Sequence, residues 1–167
     1  MKKMILCGRS ECGKTTLRQA LMGDTIEYDK TQYINNLDCI IDTPGEYTQS
    51  KYIGRALAIY AYESDVIGLV MSATEPYSVY PPCSTATATR PVIGIVTQID
   101  APGANPERAK RWLELAGCHD VFYVSSYTGN GLWDLLQYLK EPGDVLPWET
   151  KNEAEQPRKV LSTKFDY

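Results

Sequence analysis

Gly8-Arg9-Ser10-Glu11-Cys12-Gly13-Lys14-Thr15 sets a glycine at each end of a short polar loop and follows the second with Lys and Thr. An apolar run ending at Cys7 precedes it, and TTLRQALM, rich in helix formers, follows from Thr15 to Met22. Strand, glycine-bounded loop and helix in this order form a phosphate cradle. Gly8 and Gly13 let the backbone wrap closely, the N–H groups of Arg9, Ser10, Glu11 and Cys12 turn inward, and the helix contributes its positive end. Lys14 then reaches the β and γ phosphates, the Thr15 hydroxyl takes a position on Mg²⁺, and Thr16 completes the nucleotide-contacting set.

Length and composition bound the rest. With 167 residues, 43% hydrophobic and 23% charged, the chain has room for one domain and a modest tail. A net charge of −4 argues against a nucleic-acid partner, because a polyanion would be repelled overall. Neither a membrane-length apolar run nor a signal-peptide stretch stands in the sequence, so a cytoplasmic protein without membrane insertion is expected. The five cysteines have no CxxC spacing, which fits reduced thiols; Cys7 and Cys39 read as buried packing residues, and Cys12 as either a reactive thiol or an ordinary one. His119 is the single histidine, so a His-metal cluster or a Ser/His/Asp triad has no basis.

Downstream of the cradle, Gly23 to Lys30 reads as a loop and Thr31 to Ile34 as a short strand. Asn35-Asn36 turns it into Leu37 to Ile41, a hairpin with one strand antiparallel to the others. That run ends in Asp42-Thr43-Pro44-Gly45, which places an acidic residue at a strand end where Mg²⁺ needs orienting and a glycine N–H within reach of a γ-phosphate. A helix is expected over Ser50 to Tyr62. Val66–Met71 and Val92–Val96 are apolar throughout, as buried central strands are. Between them, Glu75 to Pro91 reads as a loop with at most one short helix and no legible role.

Thr97-Gln98-Ile99-Asp100 follows the next strand, and its carboxylate suits the N1 and N2 donors of guanine. Asn105-Pro106 caps and opens a helix that stops at Gly117. A further strand over His119 to Val124 runs into Ser125-Ser126-Tyr127-Thr128-Gly129, and a last helix follows Gly131. This alternation predicts an α/β fold with an open, mostly parallel sheet whose motif loops share one rim.

Taken in order, GRSECGKT, Thr31, DTPG, TQID and SSYTG resemble the five motifs of small GTPase-like P-loop proteins over residues 1 to 140. The compact size, DKTQ before the hairpin and DTPGEY resemble the EutP/PduV family of ethanolamine and propanediol utilisation, associated with bacterial microcompartments. The resemblance implies a Ras-like P-loop NTPase fold, about six strands with one antiparallel and helices on both faces. It implies GTP/GDP binding with Mg²⁺, held by Thr15, Asp42 and Thr31 as switch threonine, with Thr25 as the rival placement. It implies a catalytic set of Lys14, Thr31, Gly45 and Glu46, and a base pocket from Thr97, Gln98, Asp100, Ser125, Ser126 and Tyr127. Partners would be a guanine nucleotide and microcompartment shell or enzyme proteins.

Three departures from the family's pattern matter. Gln98 stands where a lysine stem normally lies along the purine, Ser126-Tyr127 replace Ala-Lys, and Glu46 replaces the glutamine that orients the attacking water. A carboxylate at 46 would be repelled by the γ-phosphate, so hydrolysis is expected to be slow. Family resemblance also admits an acetate kinase-type phosphotransferase, with Arg9 as the candidate anchor for a carboxylate acceptor, and a nucleotide-binding scaffold is a third reading. Residues 141–167, interrupted by Pro142, Gly143, Pro147 and Pro157, are expected to form a flexible tail.

Overall fold

The computed structural model describes residues 1–22, 40–42 and 53–144. The apolar run before the cradle forms β1 (Met4–Gly8), and the helix formers after it make α1 (Lys14–Met22). β2 (Ile40–Asp42) precedes α2 (Ile53–Glu63), and the two continuous apolar runs are β3 (Val66–Ser72) and β4 (Val92–Thr97). Between these lies a single 3₁₀ turn at Ser84–Thr87, as the loop reading allows. α3 (Pro106–Ala116) begins at Asn105, whose side chain accepts from the Arg108 N–H, and ends where the Gly117 N–H returns to the carbonyls of Leu113 and Glu114. β5 (Val121–Tyr123) and α4 (Leu132–Leu139) complete the described chain.

The five strands lie in the order β2-β1-β3-β4-β5, and every pairing is parallel. From β1 the chain crosses to one side for β2 and returns to the other for β3, so the order reverses beside β1. Open α/β sheets bind ligands at such a reversal, outside the carboxyl ends of the strands, and the loop leaving β1 emerges there. The expected antiparallel strand and the hairpin over Thr31 to Ile41 fall mostly outside the described residues, as do residues 50–52 and 145–167.

Alternation along the strands divides the core in two. Met4 and Leu6 of β1 face Leu17 and Leu21 of α1 and Leu135, Leu136 and Leu139 of α4. Ile5 and Cys7 face Leu57 of α2 and Ala109, Leu113 and Ala116 of α3. Helices thus cover both faces, which is why β3 is buried along its whole length. Trp133 is 46% exposed, because the inward face of α4 is taken by its leucines.

Candidate functional site

At the end of β1, Gly8 pairs with Val70 of β3. A Cβ on Gly8 would lie 2.6 Å from the Val70 carbonyl oxygen and 2.7 Å from Cys12 Sγ, so only glycine fits. Gly13 is required for a different reason: there is room for a side chain, but φ is +89°. Glu11 also adopts the left-handed region, at φ 65°, without being glycine. Strain of this kind, of order 1–2 kcal/mol, persists where surrounding bonds determine the backbone.

Lys14 opens α1 with its side chain buried inside the loop. Its Nζ donates to the carbonyls of Gly8 and Arg9, each at 2.8 Å, and lies 3.9 Å from Cys12 Sγ. The ammonium is therefore fixed at the centre of the cradle at the N-terminus of α1, where charge and helix dipole both favour an anion. Thr15 is exposed at the start of the helix and Thr16 half-buried. Cys12 is only 1% exposed, which favours the ordinary thiol of the two readings: its side chain packs within the core below the loop. Cys118, beneath α3, is likewise buried, and burial pushes its thiol up to about 12.

The guanine-type motif meets this loop directly. Thr97, the last residue of β4, is buried, and its Oγ1 donates to the Cys12 carbonyl at 2.5 Å. Gln98 follows at φ 56°, and its Nε2 donates to the Glu11 carbonyl at 3.4 Å. Asp100 is exposed. Ser125, Ser126 and Tyr127 leave the adjacent β5 at the same rim, with Ser125 Oγ accepting from the Thr128 N–H at 3.2 Å and Tyr127 exposed. In the β1–β2 ladder Leu6 is level with Asp42, which puts Asp42 at this rim beside the phosphate loop. Thr31, Gly45, Glu46 and the rival Thr25 lie outside the described residues.

Sequence reasoning left the loop after β3 without a role, and the structure brings it into the site. Ser72 Oγ donates to Gln98 Oε1 at 2.6 Å, and the Ser72 N–H donates to Glu75 Oε1 at 3.2 Å. Glu75 is 8% exposed, and burial pushes its carboxyl above the ordinary value; the Ser72 N–H and the charges of Arg9 and Lys14 oppose that rise. Arg108 of α3 donates to the Glu75 carbonyl at 2.7 Å, which ties the loop to the second layer. Farther on, Tyr80 is buried with its hydroxyl 2.7 Å from the Val70 carbonyl and 3.0 Å from that of Cys7, the residue before the cradle. The missed signal was Ser72-Ala73-Thr74-Glu75, a polar run at the carboxyl end of a buried strand. A cavity of about 220 Å³ opens between the two loops, lined by Arg9, Ser10, Glu11, Thr74, Glu75 and Gln98. The Arg9 guanidinium lies over the Tyr77 ring, 5.3 Å from its centroid.

Comparison with known proteins agrees with this architecture. The PduV-EutP family, described as ethanolamine utilisation - propanediol utilisation, matches residues 1–141. The propanediol utilization protein PduV of Citrobacter freundii is 40% identical over 142 residues, covering 83% of this chain and 93% of that protein. A protein of Escherichia coli (strain K12) named "Probable acetate kinase EutP" is 29% identical over 142 residues, covering 83% of this chain and 89% of its own. Among solved structures, the FeoB G-domain of Methanococcus jannaschii superposes with a TM-score of 0.54 at 16% identity, over 82% of this chain and 94% of that domain. The fold is that of Ras-like P-loop GTPase domains, with a parallel sheet.

Proposed function

The chain belongs to the PduV-EutP family of ethanolamine and propanediol utilisation, and we propose that it is a guanine-nucleotide-binding protein and slow GTPase, a switch or accessory factor in that metabolism. The observation that carries this reading is the bond from Thr97 Oγ1 to the Cys12 carbonyl. It joins the loop suited to phosphates to the loop suited to a purine, so one ligand can engage both. Asp100 selects guanine by accepting from N1 and N2, donors that adenine does not offer in that arrangement.

Mg²⁺ suits the same residues. Among the described residues no group of three or more His, Cys, Asp or Glu could hold a metal by itself. A metal shared between the Thr15 hydroxyl, Asp42, Thr31 and the nucleotide's own phosphates needs no such group. When bound, Mg²⁺ would neutralise developing charge on the phosphates. Lys14 supports the same charge from within the loop, while the Gly45 N–H and Glu46 belong to the γ-phosphate side. Glu46, a carboxylate where glutamine would orient water, accounts for slow turnover. Residues 1–140 form the nucleotide domain in this reading, 141–167 a tail, and the protein works in the cytoplasm, in contact with microcompartment shell or enzyme proteins.

The name of the Escherichia coli relative favours a second reading, phosphoryl transfer to acetate. The cavity beside Arg9 also carries Glu11 and Glu75, two carboxylates that would oppose a carboxylate acceptor, and this ranks the reading below the first. Calorimetry with GTP, GDP and ATP in Mg²⁺ tests both. Selective binding of guanine nucleotides, lost in Asp100→Ala, is the expected result. Equal binding of ATP together with acetyl phosphate formation would replace the GTPase reading by the kinase one.

A further inference from the structure

Two residues of the site loops hold left-handed backbones without being glycine, Glu11 in the phosphate loop and Gln98 in the base loop, and a hydrogen bond from Gln98 Nε2 to the Glu11 carbonyl joins them. That bond requires the Gln98 amide to stand one way round, with nitrogen toward Glu11 and oxygen away. The Glu11 carbonyl can only accept and so sets the nitrogen side, and Ser72 holds the oxygen side. Ser72 is 3% exposed, and its hydroxyl donates to Gln98 Oε1 at 2.6 Å. The Thr74 N–H donates to that hydroxyl oxygen at 3.1 Å, and the Thr74 hydroxyl lies 2.7 Å from it, where either oxygen can be the donor. The Thr74 hydroxyl also faces Gln98 Oε1, at 3.4 Å.

The chemistry of position 98 makes the arrangement specific. A lysine has donors and no acceptor, so it could reach the Glu11 carbonyl but could not receive the Ser72 proton. An amide does both. We propose that Ser72 is a positioning residue for nucleotide recognition: through the Gln98 amide it holds the base loop and the phosphate loop in one register, which makes Ser72 and Gln98 a matched pair. Ser72 acts through the Gln98 amide. The inference rests on the guanine-nucleotide reading above.

A double-mutant cycle read by GDP and ADP affinities in Mg²⁺ tests it. Ser72→Ala is expected to weaken GDP binding about tenfold, the effect of a buried hydrogen bond, and to lower the GDP-over-ADP preference. In a Gln98→Lys background, where the side chain at 98 no longer accepts the Ser72 proton, the same change is expected to alter GDP affinity less than about twofold. Equal losses in both backgrounds would overturn the proposal, because a merely structural serine would act in either. An unchanged preference in Ser72→Ala would overturn it as well. If Ser72→Ala does not fold, Ser72→Cys, a weaker donor of similar size, replaces it in the cycle with a smaller loss confined to the Gln98 background. Wild-type protein without guanine preference would bring down the underlying reading as well; wild-type preference with additive losses would bring down this inference alone.

Discussion

The loop leaving β1 and the loop leaving β3 start from neighbouring strands at one rim, yet they keep their shapes by different means. Gly8 to Lys14 is shaped by backbone: a glycine where no Cβ fits, a second where φ is positive, and a lysine turned back onto the loop's own carbonyls. Ser72 to Tyr80 is shaped by side chains: a serine hydroxyl bonded to the next loop, a glutamate capping the turn, and a tyrosine reaching under the sheet. A loop that must close on phosphates needs its N–H groups free, which leaves glycine and lysine as its means of support. A loop that only positions its neighbours can use its side chains, and many residue types serve.

Perturbing each loop by its own means tests the contrast. Lys14→Ala is expected to have the largest effect, a loss of GTP affinity of at least about a hundredfold by calorimetry, as for a buried charge-assisted contact. The melting temperature of the nucleotide-free protein should change by no more than about 4 °C; wholesale unfolding would mean that the Lys14 bonds, more than the glycines, hold the loop. Gly8→Ala should destabilise by about 1–3 kcal/mol in denaturant titration, because the added methyl meets the Val70 carbonyl and Cys12 Sγ. A variant as stable as wild type would show that the cradle tolerates a side chain. Tyr80→Phe leaves the Cys7 and Val70 carbonyls without their hydroxyl donor and should cost about 1 kcal/mol. An unchanged chemical midpoint would remove Tyr80 as the anchor of the second loop.

Glu75 gives the smallest effect and a definite sign. Burial raises its folded pKa above the ordinary value of 4.5, so the folded state holds the proton more tightly. The stability linked to that proton is fully present below the unfolded value and is lost as pH rises through the folded one. Glu75→Gln keeps an acceptor for the Ser72 N–H and has no such titration. Thermal melts should show a flatter pH dependence above about pH 4.5 and a melting temperature at pH 7 higher by about 1–3 °C. A steeper slope in the variant would contradict the burial argument.

Much of the fold was legible because it depends on local chemistry. Val66–Met71 and Val92–Val96 are apolar on both faces, and the cap, first-turn proline and terminal glycine of α3 mark its limits within the sequence. The shape of the loop after β1 was legible where backbone geometry dictates residue type, as at Gly8 and Gly13. Cys12 stayed open in the sequence because its position in a ligand loop suggested access, whereas its side chain turns into the core. Ser72 was missed because no spacing rule marks a side chain whose partner is 26 residues away, as Gln98 is.

By itself the sequence determined that strands alternate with helices, that a phosphate loop follows the first strand, and which family pattern the chain follows. These properties lie in periodicity and in residues whose conformational limits are their own, and such limits act within a few positions along the chain. Only the tertiary structure decided that β3 lies between β1 and β4, that Thr97 and Gln98 bond to the phosphate loop, and that Ser72 orients the amide that links them. Those relations depend on which strands become neighbours, and hydrogen bonds formed across that neighbourhood leave no mark at any one position in the sequence.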